Sequence, residues 1–441
     1  MQSLGMDYLN SRLMFGMVPG LESTRKLCNA LGNPERSFKT IHIVGTNGKG
    51  STSYYLAGVL QAHGFKTGLF TSPHLVSLRE RIRINDIPIS DADLDRLLLQ
   101  VKSAAEQVCV EPTFFEVLTL VSFLYYAEQG VDVVSMEAGM GGRLDSTAVA
   151  CGDFVVLTSI GLEHTEVLGP TESAILKEKM AVVEASEQNV IANSKSEAIQ
   201  KTFVVGGLSE SLLSEARAYA EAHHADCIVP TIRTDIKLPN LGRHYIENAS
   251  LSLAAAERFI QSNGKRYDDA LALKTLETRS WAGRMQQLSD KNGVVRYILD
   301  GAHNSHAVRR LVETLAQYYP RVKFHCVFGA LKDKDVGEML KLMAPFVSHW
   351  HITKTPYPRF RELDDLKTEL SNLGLKVASE GELNRGYLDK VAASAYSDNE
   401  NIPVLVTGSL YMIGETVQAL KDDFDGLAFF RGLEPSTNEH R

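Results

Sequence analysis

The residues best suited to chemistry lie in one glycine-rich segment. The segment GTNGKGS follows an apolar run, Thr40–Val44, and leads into a run that can form a helix, Ser51–Ala62. Glycines in such a turn let backbone N–H groups surround a phosphate, and the amino end of the next helix favours negative charge. An ordinary strand-to-helix turn is the alternative, but three glycines and a lysine in this context favour a nucleotide-binding loop. The residues expected to contact the nucleotide are Gly45, Thr46, Asn47, Gly48, Lys49, Gly50, Ser51 and Thr52.

Lys49 and the hydroxyl residues that follow it define the chemistry of this loop. We expect Lys49 to neutralise the β- and γ-phosphates, and Ser51 or Thr52 can offer a hydroxyl towards Mg²⁺. The spacing is shorter than in the usual G-x-x-x-x-G-K-[ST] loop, and an additional glycine follows the lysine. Motors, kinases and ligases all use such loops, so the loop predicts phosphate binding and leaves the reaction open.

A second candidate is the carboxylate of Glu137. It ends the apolar run Val131–Glu137 and directly precedes a glycine cluster. Ligands of α/β proteins bind at the carboxyl ends of parallel strands, and carboxylate oxygens suit Mg²⁺. A helix cap or a salt bridge is the alternative role, and the position at a strand end favours a functional role in ligand binding.

The elements around these residues alternate between strand and helix. Further strands are predicted at Gly68–Thr71, Phe154–Ser159 and Asn189–Ala192, separated by helical lengths such as Asp91–Gln107 and Phe114–Glu128. This order predicts a mostly parallel sheet covered by helices. After Arg284 the alternation restarts. The predicted elements there are Val295–Leu299, Ala307–Tyr318, Lys323–Phe328, Asp335–Met343, His349–Thr353, Glu362–Leu373 and Pro403–Thr407.

The length of 441 residues also predicts two domains, because one hydrophobic core rarely serves so long a chain. We place the boundary near residue 285, giving domains 1–285 and 286–441. The polar stretch Ser289–Gly293 beside it has the composition of a linker or a hairpin turn.

The amino-acid composition argues against several classes of protein and of site. A net charge of −8 lacks the basic surface that nucleic acids require, so no nucleic-acid partner is expected. The first residues lack the pattern of a signal peptide, and charged or polar residues interrupt the most apolar stretch, so we expect a cytoplasmic protein without a membrane span. Five scattered cysteines without a C-x-x-C pair favour neither a disulfide framework nor a zinc site.

The phosphate loop is one of several motifs that lie along nearly the whole chain. The others are Arg12–Glu22, Thr71–Leu75, Glu80–Asn85, Glu137–Asp145, Gly161–His164, Glu178–Lys179, Asp300–Asn304, Leu331–Asp335 and Thr407–Tyr411. Together these motifs resemble the folylpolyglutamate synthase branch of the Mur ligase superfamily. The resemblance implies a P-loop domain with a mostly parallel sheet and a smaller, Rossmann-like α/β domain. It also implies an ATP-dependent ligase that activates a folate carboxylate as an acyl phosphate and joins L-glutamate to it.

The resemblance further implies roles for residues outside the loop. Ser72 and Glu137 are implied as ligands of one Mg²⁺ ion, and His164 of a second. Lys179 is implied as a lysine that carbamylation converts into a carboxylate serving the second ion; an exposed helical lysine is the alternative. Asn248, Asp300 and His303 are implied at the adenine and ribose, and Arg284 at the terminal phosphates.

Several alternatives stay open at this point. Dihydropteroate is a second acceptor within the class, which would make dihydrofolate the product. Small departures from the family pattern, such as Glu163 and Ala282, are what a degenerate nucleotide-binding paralogue would carry. A Mur-type cell-wall ligase is another alternative. The family's common state is a monomer.

One further pattern has two interpretations. Arg79, Arg81 and Arg83 alternate, which on an extended segment puts three guanidinium groups on one face. Such a face suits the carboxylates of a glutamyl tail, and a solvated strand face is an equal alternative.

Overall fold

The structure is a computed structural model that describes residues 3–13, 20–150, 152–184, 201–398 and 402–435. The described chain forms two compact units. The first unit takes its residues from Met1–Pro73, Arg79–Lys237 and Ile246–Arg279, and the second from His74–Leu78, Leu238–Tyr245 and Ser280–Arg441. The domain boundary near residue 285 stays a prediction. The predicted strand Asn189–Ala192 lies outside the described residues.

The first unit is built on an eight-stranded sheet. Its strands are β1 (Lys39–Val44), β2 (Thr67–Phe70), β3 (Ile82–Ile84), β4 (Ile87–Pro88), β5 (Val133–Glu137), β6 (Phe154–Leu157), β7 (Thr202–Val205) and β8 (Asp226–Ile228). Their order is β4-β3-β2-β5-β1-β6-β7-β8. The pairs β2–β3 and β3–β4 are antiparallel and the others are parallel, which confirms the mostly parallel sheet.

Helices accompany this sheet, and their ends follow local sequence signals. They are α1 (Leu4–Ser11), α2 (Glu22–Ala30), α3 (Lys49–Ala62), α4 (Asp91–Val108), α5 (Phe114–Glu128), α6 (Thr165–Leu168), α7 (Glu172–Met180), α8 (Glu210–Ala222), α9 (Arg243–Ser262) and α10 (Asp269–Leu276). Thr113 and Glu116 form a reciprocal capping box at the start of α5, which satisfies backbone donors that a helix leaves unpaired. Helix α9 begins in residues of the second unit and continues into the first.

The second unit is built on a six-stranded sheet. Its strands are β9 (Gln286–Ser289), β10 (Val295–Asp300), β11 (Phe324–Phe328), β12 (Val347–Lys354), β13 (Val377–Glu382) and β14 (Val404–Thr407), in the order β13-β12-β11-β14-β10-β9. Its helices are α11 (Ser305–Tyr318), α12 (Val336–Met343), α13 (Leu363–Asn372), α14 (Arg385–Asp398) and α15 (Leu410–Leu420). The polar stretch Ser289–Gly293 is a hairpin turn, because β9 pairs antiparallel with β10 around it.

Two hydrophobic clusters form the core of the second unit. One cluster contains Cys326 and Phe328 of β11, and the other contains Val327 between them, so the clusters pack on opposite faces of the sheet. The cluster around Val327 also contains Leu75 and Val76, which come from the short segment His74–Leu78. This segment therefore contributes apolar side chains to a core whose other members come mainly from the last third of the chain.

The registers of the first sheet bring the predicted site segments to one edge. Ile43 of β1 pairs with Glu137 of β5, and Val44 pairs with Leu157 of β6. The loops that follow these parallel strands therefore leave the sheet side by side. Over the described ranges, no helix combines the length and the apolar character needed to cross a membrane.

Candidate active site

The glycine-rich loop between β1 and α3 has a backbone that needs its glycines. Gly45 and Gly48 have φ angles of +145° and +88°, which side chains rarely allow. A Cβ atom on Gly45 would clash with Thr158 Oγ1, and one on Gly48 would lie 2.5 Å from Asn248 Oδ1. The structure thus brings Asn248 of α9 directly against the loop.

The segment that follows β6 holds this loop in place. Thr46 N–H donates to the Ser159 carbonyl at 2.8 Å, and Thr46 Oγ1 donates to the Gly161 carbonyl at 3.1 Å. Thr158 Oγ1 donates to the Asn47 carbonyl at 2.7 Å. These bonds hold the loop against the segment that follows β6.

Two lysine ammonium groups converge on one backbone carbonyl. Lys49 Nζ donates to the Gly45 carbonyl at 2.8 Å, and Lys179 Nζ of α7 donates to the same oxygen at 3.0 Å. Lys179 is only 1% exposed. Burial, together with the charge of Lys49, lowers the pKa of Lys179 to about 8. The neutral form of this amine therefore becomes appreciable near pH 8.

Glu163 pairs with Lys179 and offsets part of this positive charge. Its Oε1 accepts a hydrogen bond from Lys179 Nζ at 2.8 Å. Burial opposes ionisation of Glu163, but the charges of Lys49, Lys179 and His164 outweigh it and lower the pKa of this carboxyl. Exposed His164, with φ of +45°, lies at the start of α6 and so belongs to the same corner. Sequence reasoning noted Glu163 only as a departure from the family pattern and missed this pairing.

Glu137 and Ser72 meet at the ends of β5 and β2. Glu137 is 4% exposed, and its Oε2 accepts the backbone N–H of Ser72 at 3.0 Å. The loop after Glu137 is tied down by Asp145, which accepts N–H bonds from Met140 at 2.8 Å and Thr147 at 3.0 Å. Sequence reasoning quoted Asp145 within a motif but gave it no role.

The same loop packs on the end of α7. A Cβ atom on Gly142 would clash with the carbonyl oxygen of Lys179. Next to it, the N–H of Arg143 donates to the carbonyl of Glu178 at 3.0 Å. The backbone that carries Glu137 and the helix that carries Lys179 are therefore in direct contact.

The donor set around Glu137 is suited to Mg²⁺. Over the described residues, no group of three or more His, Cys, Asp or Glu side chains is placed to hold a metal ion by itself. Mg²⁺ commonly binds through one or two carboxylates and completes its shell with water and substrate phosphates. The Ser72–Glu137 pair fits that pattern. In the first turn of α3, buried Thr52 Oγ1 has no hydrogen-bond partner within the described part of the chain.

The remaining predicted site residues meet in the second unit. Buried Asp300 accepts N–H bonds from Met285 and Ala302, both at 2.9 Å. Burial raises the pKa of Asp300, and the charge of Arg284 opposes that rise. A Cβ atom on Gly301 would lie 2.7 Å from Arg284 Nη1, and His303 Nδ1 lies 2.8 Å from the Gly301 carbonyl oxygen. Arg284, Asp300 and His303 therefore form one cluster.

The structure does not form the predicted arginine face. Residues Leu78–Arg81 form a 3-10 turn, so Arg79, Arg81 and Arg83 do not alternate along one extended segment. Arg81 is buried with its guanidinium 5.7 Å from the ring centre of Phe114. Arg83 is also buried, and its Nε donates to the Glu80 carbonyl at 2.8 Å. Both the extended face and the solvated alternative are therefore wrong for this segment.

Comparisons with known proteins agree with this architecture. A family model described as the Mur ligase middle domain matches residues 43–256, and one described as Mur ligase, glutamate ligase domain, matches residues 283–410. The class defined by the fold and these matches is the Mur ligase class.

Similarity to individual proteins identifies the family within this class. The chain is 33% identical to the dihydrofolate synthase/folylpolyglutamate synthase of Bacillus subtilis, over 94% of this chain and 98% of that protein. It resembles the solved structure of Mycobacterium tuberculosis folylpolyglutamate synthase complexed with ADP and AMPPCP, with TM-score 0.79, 25% identity and coverage of 98% and 100% of the two chains. The structure of Escherichia coli FolC in complex with DHPP and ADP matches with TM-score 0.78, 25% identity and coverage of 96% and 98%. The chain belongs to the folylpolyglutamate synthase/dihydrofolate synthase family.

Proposed function

We propose that this chain is an ATP-dependent acid–amino-acid ligase that adds L-glutamate to the γ-carboxylate of a folate. The observation that carries the proposal is the convergence of Lys49 and Lys179 on the phosphate loop, together with the Ser72–Glu137 contact at the same sheet edge. A carboxylate and an amine do not condense in water until the carboxylate oxygen becomes part of a leaving group. A site dominated by phosphate-binding and charge-neutralising groups meets that need.

The reaction proceeds in two balanced steps. The γ-phosphoryl group of ATP passes to a carboxylate oxygen of the folate, which gives an acyl phosphate and ADP. The amine of L-glutamate then attacks the acyl carbon, the new amide C–N bond forms, phosphate leaves and the nitrogen loses a proton. Phosphoryl transfer of this kind depends on positioning and electrostatic stabilisation more than on a protein nucleophile.

The residues of the first unit have distinct roles in this scheme. The loop Gly45–Thr52, with Asn248 against it, binds the nucleotide, and Lys49 neutralises the β- and γ-phosphates. Ser72 and Glu137 hold one Mg²⁺, and His164 and Lys179 serve a second. Bound Mg²⁺ would supply charge neutralisation at the phosphates.

Carbamylation of Lys179 belongs to this proposal. Forming a carbamate requires a neutral amine, and the lowered pKa of Lys179 supports the presence of the neutral amine. The ion pair with Glu163 opposes carbamylation, because the pair stabilises the ammonium form of Lys179.

Asp300 and His303 of the second unit bind the adenosine part of the nucleotide, and Arg284 binds its terminal phosphates. Two backbone N–H groups hold the buried carboxylate of Asp300 in place, which supports its role as a fixed acceptor of hydrogen bonds.

Dihydropteroate is the second acceptor we propose to test. The Bacillus subtilis relative carries both activities in its name, which supports a bifunctional enzyme. The other partners we expect are the small molecules themselves, with the chain acting as a cytoplasmic monomer.

The direct test is phosphate release by purified protein with MgATP and L-glutamate, comparing tetrahydrofolate, dihydropteroate and no acceptor. Mass spectrometry of the products counts the added glutamyl units. Turnover with both acceptors means a bifunctional enzyme, and turnover with tetrahydrofolate alone means a dedicated polyglutamate synthase. Nucleotide binding without turnover would favour a degenerate paralogue, and turnover of UDP-linked muropeptides alone would favour a cell-wall ligase.

A further inference from the structure

Arg279, the last residue of the first unit, makes contacts with two separate elements of that unit. Its Nη1 and Nη2 donate to the two carboxylate oxygens of Asp86 at 2.7 and 2.8 Å. Its guanidinium carbon lies 3.8 Å from the ring centre of Tyr54 on α3. Arg279 is 7% exposed. A bidentate pair of this kind fixes both distance and orientation.

Residues of α3 and of the turn between β3 and β4 accommodate this arginine. Gly58 lies inside α3, where glycine costs roughly 1 kcal/mol relative to alanine. A Cβ atom at this position would clash with the Arg279 guanidinium, so the glycine provides the space. Asn85 and Asp86 have φ angles of +48° and +66° and form the tight turn between β3 and β4.

The turn held by Arg279 leads to the candidate metal site. Asn85 is bonded to the start of β2, because its N–H donates to the Thr67 carbonyl and its Oδ1 accepts the Thr67 N–H, both at 2.9 Å. At the other end of β2, Thr71 N–H donates to the Arg81 carbonyl at 3.1 Å. The next residue is Ser72, whose N–H donates to Glu137.

We propose that Arg279 is a positioning residue that aligns the β2–β3 backbone carrying Ser72 with α3, the helix of the phosphate loop. It acts through Asp86 and touches neither the nucleotide nor the metal. The inference rests on the proposed function, because it takes Ser72 as a metal ligand and Lys49 as a phosphate ligand. Replacing Arg279 should therefore reduce the gain in nucleotide affinity that Mg²⁺ provides, and should not change nucleotide affinity without Mg²⁺.

The test is calorimetric binding of AMPPCP with Mg²⁺ and, separately, with EDTA. Lysine at position 279 keeps the charge but cannot make the bidentate pair. Arg279→Lys is expected to reduce the Mg²⁺-dependent gain in affinity by up to about 10-fold, the lower end of the effect of losing a group bonded directly to a metal ligand, because Arg279 acts on Ser72 through Asp86 and β2. The affinity in EDTA is expected to stay near that of the native chain.

Arg233→Lys is the matched control. Arg233 also pairs with two carboxylates, Asp235 and Asp269, but none of its pairing partners belongs to β2, β3 or α3. This variant should leave the Mg²⁺-dependent gain unchanged. If Arg279→Lys does not fold, Asp86→Asn replaces it, since it keeps the shape of the side chain and removes its charge.

An unchanged Mg²⁺-dependent gain in a folded variant of either Arg279 or Asp86 would overturn the inference. Equal losses of AMPPCP affinity with and without Mg²⁺ would also overturn it, because they indicate a purely structural role. A native chain whose affinity does not respond to Mg²⁺ would overturn it as well. A native chain that couples Mg²⁺ to nucleotide but adds no glutamate would overturn the proposed ligase, while the role of Arg279 would still be measurable.

Discussion

At the scale of single residues, the Gly45 carbonyl oxygen is the atom that two lysines of the candidate site share as a hydrogen-bond acceptor. Lys49 and Lys179 are 130 positions apart in the chain and donate to this one atom. The loop and Lys49 were predicted from three glycines and a lysine between a strand and a helix, whereas Lys179 was assigned only through the family resemblance. The pairing with Glu163 could not be predicted, because it depends on where α7 packs.

Lys49→Ala and Glu137→Ala are each expected to abolish ligation and leave the fold intact. In the proposed site Lys49 acts on phosphate and Glu137 on metal, and neither side chain belongs to the hydrophobic core. Phosphate release measures the first effect and circular dichroism the second. Lys102→Ala, which removes a surface partner of Glu106, serves as the control and should keep full activity. Near-normal turnover in either site variant would contradict its assignment.

The lowered pKa of Lys179 predicts a pH-dependent modification. With a pKa of about 8, roughly half of the amine is neutral at pH 8, and less is neutral as the pH falls. Carbamylation should therefore increase between pH 7 and pH 9 in bicarbonate. Carbon NMR of protein in ¹³C-bicarbonate measures it, with Lys179→Arg as the blank. A carbamate signal that persists in Lys179→Arg would place the modification elsewhere.

At the scale of elements, β11 and β12 carry three stacked histidines outside the candidate site. His325 Nδ1 lies 3.0 Å from His351 Nε2, and the ring centres of His325 and His349 lie 4.2 Å apart. His351 Nδ1 also lies 2.7 Å from Ser379 Oγ on β13. The cluster was not predicted, since histidines at alternate positions of a short strand carry no signal for their neighbours on the adjacent strand.

This cluster predicts that the second unit loses stability in mild acid. Burial, with the nearby His325 and His349, lowers the pKa of His351 from 6.5 to about 4. The unfolded chain therefore binds a proton as the pH falls below 6.5 while the folded chain does not. The free energy of unfolding should fall by up to about 3 kcal/mol between pH 6.5 and pH 4.

Urea unfolding followed by tryptophan fluorescence measures this effect, because Trp281 and Trp350, the two tryptophans of the chain, both belong to the second unit. His351→Gln should make the dependence on pH less steep, and buried His244, whose pKa is also lowered, should account for part of what remains. His224→Asn replaces an exposed histidine of the first unit and should not alter it. An equally steep loss in His351→Gln would assign the acid sensitivity to other groups.

At the scale of the whole molecule, composition and alternation of elements predicted the two-unit α/β fold. The long apolar strands were predicted to within a few residues: Val295–Leu299 was expected, and β10 spans Val295–Asp300. The short antiparallel strands β3 and β4 were not predicted, because runs of two or three residues carry too little periodicity. The discontinuity of the units was also missed, since linear sequence gives no sign that residues 74–78 pack with a distant segment.

Nucleotide binding should stabilise the folded chain as a whole. A ligand that binds only the folded state at 100 times its dissociation constant adds about 2.7 kcal/mol to the free energy of unfolding. MgATP should therefore raise the midpoint of thermal unfolding of the native chain, and Lys49→Ala should remove most of that rise. Scanning calorimetry with and without MgATP measures both. An equal rise in the variant would mean that the loop lysine is not needed for binding.

Leu75 and Val76 have a consequence for how the protein is made. They pack with residues such as Leu288 and Leu299, which a ribosome adds roughly 200 residues later. At 5–20 residues per second, these side chains wait about 10–40 s for their packing partners. During that time an apolar segment next to Ser72 remains uncovered on the nascent chain. A gene shortened to end before residue 288 would make this exposure permanent, so such products are expected to depend on chaperones or to aggregate.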